Sequence, residues 1–488
     1  MFLGVVILKK ILAFIISALI ITNCFMPFAF ASNYIKGDVN QDGVLDIVDV
    51  SIMRGSIVGN IALSKSQVEF GDIDNSGYID IVDVAYARGV IIGNIKTVYS
   101  DNYTTPDEII TTETDDEKNE EIMPILSDDV KGMWISYIEM AHYFDEVNES
   151  VFVERFNKII SNCKELGINT VFVQVRAHGD AYYHSALFPA TKYLSGTFNK
   201  DTEYDALSLM TEICHKNGIK IHAWVNPYRL CNKTEMQSLP NTYKIKQWYN
   251  QNDGHLFLYN GVYYLNPAAD GVTDLVADGV REILRYDVDG VQIDDYFYPT
   301  TDKSIDNSQF SSSGYSDLTQ FRLDTCTKMV KAINDITKKG ERKVLFGVSP
   351  QGNIPNNYDY IYADVKLWAS SKEYVDYIAP QIYYGFRHGA IPFTECVSQW
   401  ESLVKDSDVG LLCGLAAYKI GTADNFAKDG KYEWEVDGAI LSRQIRIINN
   451  SNRFNGYIYF HYDSLFSPDR DVSNKVSSEI EEIKKIIK

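Results

Sequence analysis

The feature that most limits the fold of this chain is a long alternation of strand-like and helix-like segments after residue 130. Eight short runs rich in β-branched and aromatic residues are typical of strands, and amphipathic helical patterns fall between them. This alternation predicts an α/β fold with a parallel sheet, and eight strands over about 350 residues fit a TIM-type (β/α)8 barrel with insertions. A doubly wound open sheet is the alternative, but no glycine-rich phosphate-binding turn follows the first strand. The predicted strands are GMWISY (132–137), NTVFVQV (169–175), IKIHAWV (219–225), GVQID (290–294), KVLFGV (343–348), DYIAPQIYY (376–384), GLLCGLA (410–416) and GYIYFHY (456–462).

The carboxyl ends of these strands carry many aromatic and hydrogen-bonding residues, and in a TIM-type barrel these ends hold the chemistry. Aromatic rings can stack on sugar faces while Arg, Asn and Gln bind hydroxyls, so carbohydrate is the predicted ligand. The alternative is that many of the tyrosines only close the barrel mouth. The predicted substrate-binding residues are Trp134, Arg176, His178, Asn226, Tyr228, Arg229, Tyr296, Tyr298, Gln381, Tyr383, Tyr418, Lys419, His461 and Tyr462.

Asp294 and Asp295 end the fourth predicted strand and are the strongest catalytic candidates. Glycoside cleavage needs a protonated carboxyl near the leaving oxygen, plus a second carboxylate or help from the substrate. Neighbouring strand residues point to opposite sides, so one side chain should enter the pocket and the other lean toward the rim unless the strand end breaks. The alternative is a carboxylate that pairs with Arg176 or Arg229 to hold the mouth. The reserve carboxylates are Asp180, Glu139 and Asp463.

Motifs spread over residues 131–465 resemble the glycosyl-hydrolase-like 10 domain, whose bacterial members include an enzyme acting on denuded peptidoglycan glycans. The resemblance implies a TIM-type barrel that hydrolyses O-glycosidic bonds, and no cofactor is expected in the barrel. The motifs are GMWISY, NTVFVQVRAHGDAYY, HAWVNPYR, YLNPA, YDVDGVQIDDYFYP, YIAPQIYYG, GLAAYKI and GYIYFHYDSL.

A second similarity concerns the mechanism. DGVQIDDY is similar to the fourth-strand motif DGxDxDxE of family 18 chitinases, and Gln381-Ile382-Tyr383 lies where those enzymes place a sixth-strand Tyr. Here Tyr296 occupies the acid position and Gln292 replaces an Asp, so the adjacent Asp pair is more similar to that of substrate-assisted hexosaminidases.

In those hexosaminidases the first carboxylate orients the 2-acetamido group and the next donates the proton. The resemblance therefore implies that Asp295 is the general acid. Asp294, aided by Tyr383 and Gln381, orients an acetamido group or acts directly as the nucleophile.

Residues 37–61 and 71–95 form an internal repeat, and each copy contains an oxygen-rich loop of the EF-hand type. Calcium binds six to eight oxygens at flexible distances, so we predict two Ca²⁺ ions. The alternative is a pair of Asp/Gly turns without an ion. The first loop offers Asp38, Asn40, Asp42, Val44 through its carbonyl, Asp46 and Asp49; the second offers Asp72, Asp74, Ser76, Tyr78 through its carbonyl, Asp80 and Asp83.

Each calcium loop ends in Asp and is followed by a helical pattern without an obvious helix before it. This arrangement resembles dockerins, the modules that attach secreted polysaccharide-degrading enzymes to cohesins. The resemblance implies that residues on the exposed start of each helix contact a cohesin. The alternative for the apolar ones is packing between the two helices. The predicted partner-binding residues are Ile47, Val48, Arg54, Ile81, Val82 and Arg88.

The amino terminus has the pattern of a secretory signal, with Lys9 and Lys10 before an apolar run and Ala29-Phe30-Ala31 as a cleavage site. An uncleaved membrane anchor is the alternative. We expect a secreted protein with no membrane association after cleavage. The predicted layout is a signal peptide (1–31), a dockerin (32–98), an acidic Thr-rich linker (99–129) and a glycoside hydrolase-like barrel (130–488).

The formal net charge of −20 argues against a nucleic-acid partner, which needs a basic surface to neutralise phosphates. Six cysteines follow the predicted signal peptide and none forms a CxxC pair, so buried free thiols are expected. These observations leave three functions open: hydrolysis of an N-acetylated glycan such as peptidoglycan, hydrolysis of plant cell-wall polysaccharide, and non-catalytic glycan binding by the barrel.

Overall fold

The structure, a computed structural model, describes residues 35–41, 45, 47–57, 61–73, 78–91, 124–339 and 342–487. The chain divides into two compact units, Met1–Asn119 and Glu120–Lys488. Within these described ranges, no helix has both the length and the apolar character that a membrane crossing requires.

The first unit contains helices Ile47–Ile57, Lys65–Gly71 and Ile81–Ile91. The helices after the two predicted loops are as expected, whereas Lys65–Gly71 was not predicted. Ser64 begins that helix, because its hydroxyl accepts the Gln67 N–H at 3.3 Å in a capping box. The two repeats share one apolar core made of Val39, Val50, Met53, Ile73, Val84 and Ala87.

The second unit is a closed barrel of eight parallel strands, which confirms the predicted TIM-type barrel. The strands, in their order around the barrel, are β1 Val130–Ile135, β2 Thr170–Arg176, β3 Lys220–Val225, β7 Gly290–Ile293, β8 Leu345–Val348, β9 Tyr377–Ile378, β10 Gly410–Ala416 and β11 Phe454–Phe460, and β11 pairs with β1 to close the barrel. The three intervening strands, β4 Arg229–Asn232, β5 Leu256–Tyr259 and β6 Val262–Leu265, form a small antiparallel sheet.

Amphipathic helices surround the barrel. Helix Glu149–Glu165 is typical: Asn148 caps it by accepting the Val151 N–H, and Phe152 and Phe156 lie on its buried face.

The six cysteines of the described residues are free and buried, as expected. The longer helices are Glu149–Glu165, Ala206–Lys216, Val272–Ile283, Leu318–Thr337, Phe393–Leu403, Ile440–Asn449 and Ser473–Lys484. The shorter ones are Tyr137–Phe144, Lys192–Ser195, Lys233–Ser238, Lys244–Gln251, Asn307–Ser313, Ile354–Asp359, Val365–Trp368, Glu433–Val436 and Tyr462–Phe466, with 3-10 turns at Lys303–Ile305, Ala417–Lys419 and Lys428–Gly430.

The barrel interior holds a hydrogen-bonded layer of large side chains below the mouth. The Trp134 indole N–H donates to Gln292 Oε1 at 2.7 Å, and the Tyr377 hydroxyl lies 2.9 Å from His222 Nδ1. Gly347 makes room for the Tyr377 ring, because a Cβ there would lie 2.2 Å from it. Buried polar groups that are all paired fix one packing arrangement.

Candidate active site

Both members of the carboxylate pair turn into the barrel mouth. Strand β7 ends at Ile293, so the strand breaks before the pair and the alternation of faces no longer applies. Asp294 is 3% exposed and accepts the Trp224 indole N–H at 2.8 Å and the Tyr296 backbone N–H at 3.1 Å. Asp295 is partly exposed and accepts the Gln381 amide N–H at 3.2 Å. The sequence predicts that Gln381 assists Asp294, but in the structure the Gln381 side chain donates to Asp295.

Burial raises the pKa of both carboxyls. For Asp294 the charge of Asp295 adds to the rise, while the Trp224 and Tyr296 donors oppose it. Burial also raises the pKa of Asp295, and the Gln381 hydrogen bond opposes it. Interacting carboxyls lose their protons in two steps that belong to the pair. The raised pKa values favour retention of a proton by the pair at a pH where an exposed carboxyl is ionised.

An aromatic wall, which we define as Tyr383, Tyr418 and Phe460, lines one side of the mouth. The Tyr383 ring stacks on Phe460 with centroids 5.6 Å apart, and Tyr418 meets both rings edge-on at 5.7 and 5.9 Å. Tyr418 is 41% exposed. Lys419 fixes the backbone at Tyr383, because its ammonium donates to the Tyr383 carbonyl at 2.7 Å and to Asp424 at 2.6 Å.

Glu139 and His461 form an ion pair where β1 and β11 end. Glu139 is fully buried and accepts hydrogen bonds from Ser136, from His461 Nδ1 and from the Asp463 N–H. These partners lower the pKa of Glu139 although burial alone would raise it. The same pairing raises the pKa of His461 against its own burial. Asp463 accepts a hydrogen bond from the Tyr143 hydroxyl and pairs with His142. Two of the three reserve carboxylates, Glu139 and Asp463, therefore already have partners within the protein.

The opposite side of the mouth carries Arg229 and His178. Arg229 opens the small antiparallel sheet between β3 and β7, and its guanidinium lies over the Tyr296 ring, 5.4 Å from the ring centre. The His178 ring meets Tyr137 edge-on at 4.6 Å. Asp180, the third reserve carboxylate, is buried and accepts the His178 backbone N–H at 2.8 Å.

Five of the predicted substrate-binding residues lie away from the mouth surface. Arg176 is the clearest: a register shift between Gln174 and Arg176 turns its side chain outward, over Phe188 and against Gly279 of an outer helix. The others are Trp134 in the barrel interior, Tyr228 and Tyr298 in the packing near helix Leu318–Thr337, and Tyr462, whose hydroxyl accepts from Asn162 of an outer helix.

The structure adds polar and aromatic residues that were not predicted. Trp224 holds Asp294, as described above, and Gln174 donates to Asn226 at 3.3 Å while accepting the Tyr137 N–H at 3.0 Å. Asn226, a predicted residue, thereby ties the ends of β2 and β3 together. Trp224 and Gln174 lie just before the ends of β3 and β2, and Phe460 is the last residue of β11. The alternation of inward-facing side chains along these strands was the available signal.

The calcium loops are described in part. Asp49 and Asp83, the last ligand of each predicted loop, are fully buried. Asp49 accepts the Asn40 N–H at 3.0 Å, and Asp83 accepts the Ile73 and Asp80 N–H groups at 2.6 and 2.8 Å. Asp38 and Asp72, the first predicted ligand of each loop, are also buried, so each loop has a buried carboxylate at both ends. Carboxylate oxygens are ligands that a hard cation prefers.

Other loop residues fall outside the described part. These are Asp42, Val44, Asp46, Asp74 and Ser76, together with the side chains of Ile47, Val48, Ile81 and Val82. Tyr78 and Arg54 are exposed and Arg88 is half-buried. Within the described residues, no group of three or more His, Cys, Asp or Glu side chains could hold a metal ion.

An eight-stranded parallel barrel with two carboxyls at the carboxyl ends of its strands has the fold and site expected of glycoside hydrolases. The family model described as Glycosyl hydrolase-like 10 matches residues 129–432. The chain belongs to this glycosyl hydrolase-like family.

Two curated relatives agree with that assignment. Glycosyl hydrolase YngK of Bacillus subtilis (strain 168) is 31% identical over 352 residues, covering 67% of this chain and 68% of the relative. Glycosyl hydrolase DigH of Escherichia coli (strain K12) is 30% identical over 335 residues, covering 63% and 75%. Among solved structures, α-L-fucosidase isoenzyme 2 from Paenibacillus thiaminolyticus matches with a TM-score of 0.46 at 14% identity, covering 73% of this chain and 49% of that one.

Proposed function

We propose that this chain is an extracellular glycoside hydrolase that cleaves O-glycosidic bonds in an N-acetylated glycan such as peptidoglycan. The observation that carries the proposal is the adjacent Asp294–Asp295 pair, whose pKa values are raised by burial, in a mouth lined by aromatic rings. Glycoside cleavage needs one protonated and one ionised group, and raised pKa values favour retention of the proton by one carboxyl. Both curated relatives bear the name glycosyl hydrolase.

The hydrogen bonds suggest which carboxyl carries the proton. Both oxygens of Asp294 accept fixed N–H donors, from Trp224 and from Tyr296, and such donors stabilise a charged carboxylate. Asp295 interacts with the side-chain amides of Gln381 and Gln351, accepts no main-chain N–H from another residue in the described part of the chain, and is more exposed to the mouth. The proposed acid is therefore Asp295, and the proposed anion is Asp294.

The reaction follows from these roles. Asp295 donates its proton to the leaving glycosidic oxygen as the bond from that oxygen to the anomeric carbon breaks. The carbonyl oxygen of the substrate's 2-acetamido group forms the new bond to that carbon, and Asp294 accepts the acetamido N–H. Water then attacks the same carbon, Asp295 takes a proton from it, and the acetamido group is restored. Each step balances without a cofactor.

The aromatic wall gives the sugar a place to bind. Tyr418 presents an exposed ring edge-on to Phe460, and exposed aromatic faces stack on the apolar faces of sugars. The half-buried Tyr383 ring lies beside it and near both carboxylates, whose charges contribute to its raised pKa. A sugar stacked there would lie within reach of the acid.

The first unit is proposed to be a dockerin that binds two Ca²⁺ ions and attaches the enzyme to a cohesin-bearing scaffold outside the cell. The buried carboxylates at both ends of each loop, Asp38 with Asp49 and Asp72 with Asp83, support this proposal. The exposed Arg54 is available to a partner. Secretion rests on the signal pattern of residues 1–31.

The test is release of reducing ends by the full chain from peptide-free peptidoglycan glycan, chitin oligomers and xylan, with Asp295→Asn and Asp278→Asn alongside. Asp278 is an exposed carboxylate on an outer helix and serves as the control. Release from the acetamido glycans, lost in Asp295→Asn and kept in Asp278→Asn, is expected. Release from xylan alone would indicate a plant cell-wall hydrolase, and binding without release would indicate a non-catalytic barrel.

A further inference from the structure

The mouth of the barrel has two chemically different sides. The aromatic wall follows strands β9, β10 and β11, whereas His178 and Arg229 follow β2 and β3 on the other side. The carboxylate pair follows β7, which lies between the two sides around the barrel. A glycan that stacks on the aromatic wall and reaches the pair would therefore place its opposite edge near Arg229.

Arg229 is a cation without an anionic partner among residues 124–339 and 342–487. Its guanidinium has several N–H donors, yet none donates to a protein atom in that part of the chain, and Nε is buried without an acceptor. The guanidinium face rests on Tyr296. A cation–π contact of this kind uses the face of the group and leaves its in-plane donors available.

Arg229 does not serve to neutralise the catalytic pair. The hydrogen-bond partners of Asp294 are Trp224 and Tyr296, and those of Asp295 are Gln381 and Gln351. The expected alternative, in which a mouth carboxylate pairs with Arg229, is therefore not what the structure shows. The guanidinium is left to bind a group that residues 124–339 and 342–487 do not supply.

His178 lies near Arg229 and is also incompletely partnered. Its Nδ1 atom is buried and has no hydrogen-bond partner in the described residues. Burial lowers the pKa of His178, and the charges of Arg229 and Lys192 lower it further while Asp180 raises it. Lys192 is already occupied, because its ammonium donates to Glu235 at 2.7 Å. Arg229 is thus the available cation, and His178 beside it offers a ring N–H.

We propose that Arg229, with His178 beside it, binds a carboxylate carried by the glycan, so that the enzyme prefers an acidic amino sugar over a neutral one. The inference rests on the proposed glycoside hydrolase function and specifies its substrate. A planar guanidinium and a carboxylate form paired charge-assisted hydrogen bonds. In a chain with a net charge of −20, an acidic glycan also needs such a local cation to bind near two carboxyls.

The test uses the full chain and two forms of one substrate: peptide-free peptidoglycan glycan with free carboxylates, and the same glycan with those carboxylates converted to primary amides. The wild-type kcat/KM is expected to be about tenfold or more higher on the acidic form, the usual effect of a charge-assisted hydrogen bond. Arg229→Gln should lose this preference, because its kcat/KM should fall much further on the acidic form than on the amidated form. Arg229→Lys keeps the charge but not the planar group that forms two parallel hydrogen bonds, so its preference for the acidic form should lie between those of the wild type and Arg229→Gln.

The control is Arg387→Gln, which removes an exposed arginine from the loop after β9 and should keep the wild-type preference. Equal wild-type rates on the two glycans, or a preference that survives Arg229→Gln, would overturn the inference and leave the hydrolase proposal intact. If neither glycan is cleaved, the hydrolase proposal fails, and the affinities of wild type and Arg229→Gln for the two glycans decide this inference separately. Thermal unfolding midpoints identify any variant that does not fold. If Arg229→Gln does not fold, the preference of Arg229→Lys for the acidic glycan is compared with that of the wild type instead.

Discussion

The Trp224 indole N–H donates to the Asp294 carboxylate at 2.8 Å and so joins the end of β3 to the end of β7. The donor stabilises the charged carboxylate and opposes the burial that raises its pKa. Trp224→Phe keeps an aromatic ring and removes the donor, so the pKa of Asp294 should rise further. We expect the acidic limb of the kcat/KM profile to move to higher pH by about one unit.

The measurement is reducing-end release from the cleavable glycan across the pH range. Trp434→Phe is the matched control, because the Trp434 indole N–H is also buried but has no acceptor in the described residues. Its profile should overlay that of the wild type. A Trp224→Phe profile that also overlays the wild type would show that the indole does not act on Asp294.

The Glu139–His461 pair should stabilise the barrel over a limited pH range. The lowered pKa of Glu139 adds stability above its ordinary value of 4.5, and that stability is lost as the pH falls through the folded pKa. The raised pKa of His461 adds stability below its ordinary value of 6.5, and that stability is lost as the pH rises through the folded pKa. Both contributions are full between these two values.

Glu139→Gln should therefore lower the free energy of unfolding most near pH 5.5, by about 3 kcal/mol, since it leaves a charged His461 without its buried partner. Near pH 9 the loss should be smaller, because the stabilisation by the ion pair falls as the pH rises through the raised pKa of His461. Urea unfolding at the two pH values measures the difference. His142→Asn, which breaks the exposed pair with Asp463, should cost less than about 1 kcal/mol at both. Equal losses for Glu139→Gln at the two pH values would contradict the ion pair.

The Asp294–Asp295 pair should reduce stability at neutral and alkaline pH. A raised pKa of Asp294 means that its contribution to stability is full below the ordinary value of 3.8 and is lost as the pH rises through the raised pKa. Asp294→Asn cannot ionise, so it should unfold with a free energy about 2 kcal/mol above wild type at pH 8 and close to wild type at pH 4. Chemical unfolding at both values, with Asp278→Asn as an exposed control, checks this. A difference independent of pH would count against a raised pKa.

Much of the barrel could be predicted because its strands are buried on both faces and have a local pattern. Strand β10 coincides with the predicted GLLCGLA. Strand β9 covers Tyr377–Ile378 alone, although the prediction ran on to residue 384, because Pro380 has no N–H to continue the ladder. Likewise β1 ends at Ile135, since Ser136 caps the helix that follows.

The site was harder to predict because side-chain direction depends on neighbouring strands. The bulge that turns Arg176 outward is a mismatch between β2 and β3, and no feature of the β2 sequence alone shows it. Arg229 reaches the mouth on an antiparallel sheet whose strands are four residues long, too short for a clear pattern. The position of the Asp pair at the mouth could be predicted because both members lie next to a strand end, where side-chain direction matters less.

Calcium binding by the first unit should follow the repeat. When Ca²⁺ is titrated into the calcium-free full chain, we expect two ions to bind. Asp49→Asn and Asp83→Asn should each bind one ion, because each substitution removes the last carboxylate of one loop. Isothermal titration gives the stoichiometry. Glu69→Gln, an exposed acid on helix Lys65–Gly71 outside both loops, should still bind two. Two ions bound by Asp49→Asn would remove that residue from the ligand set, and no binding by the wild type would overturn the dockerin proposal.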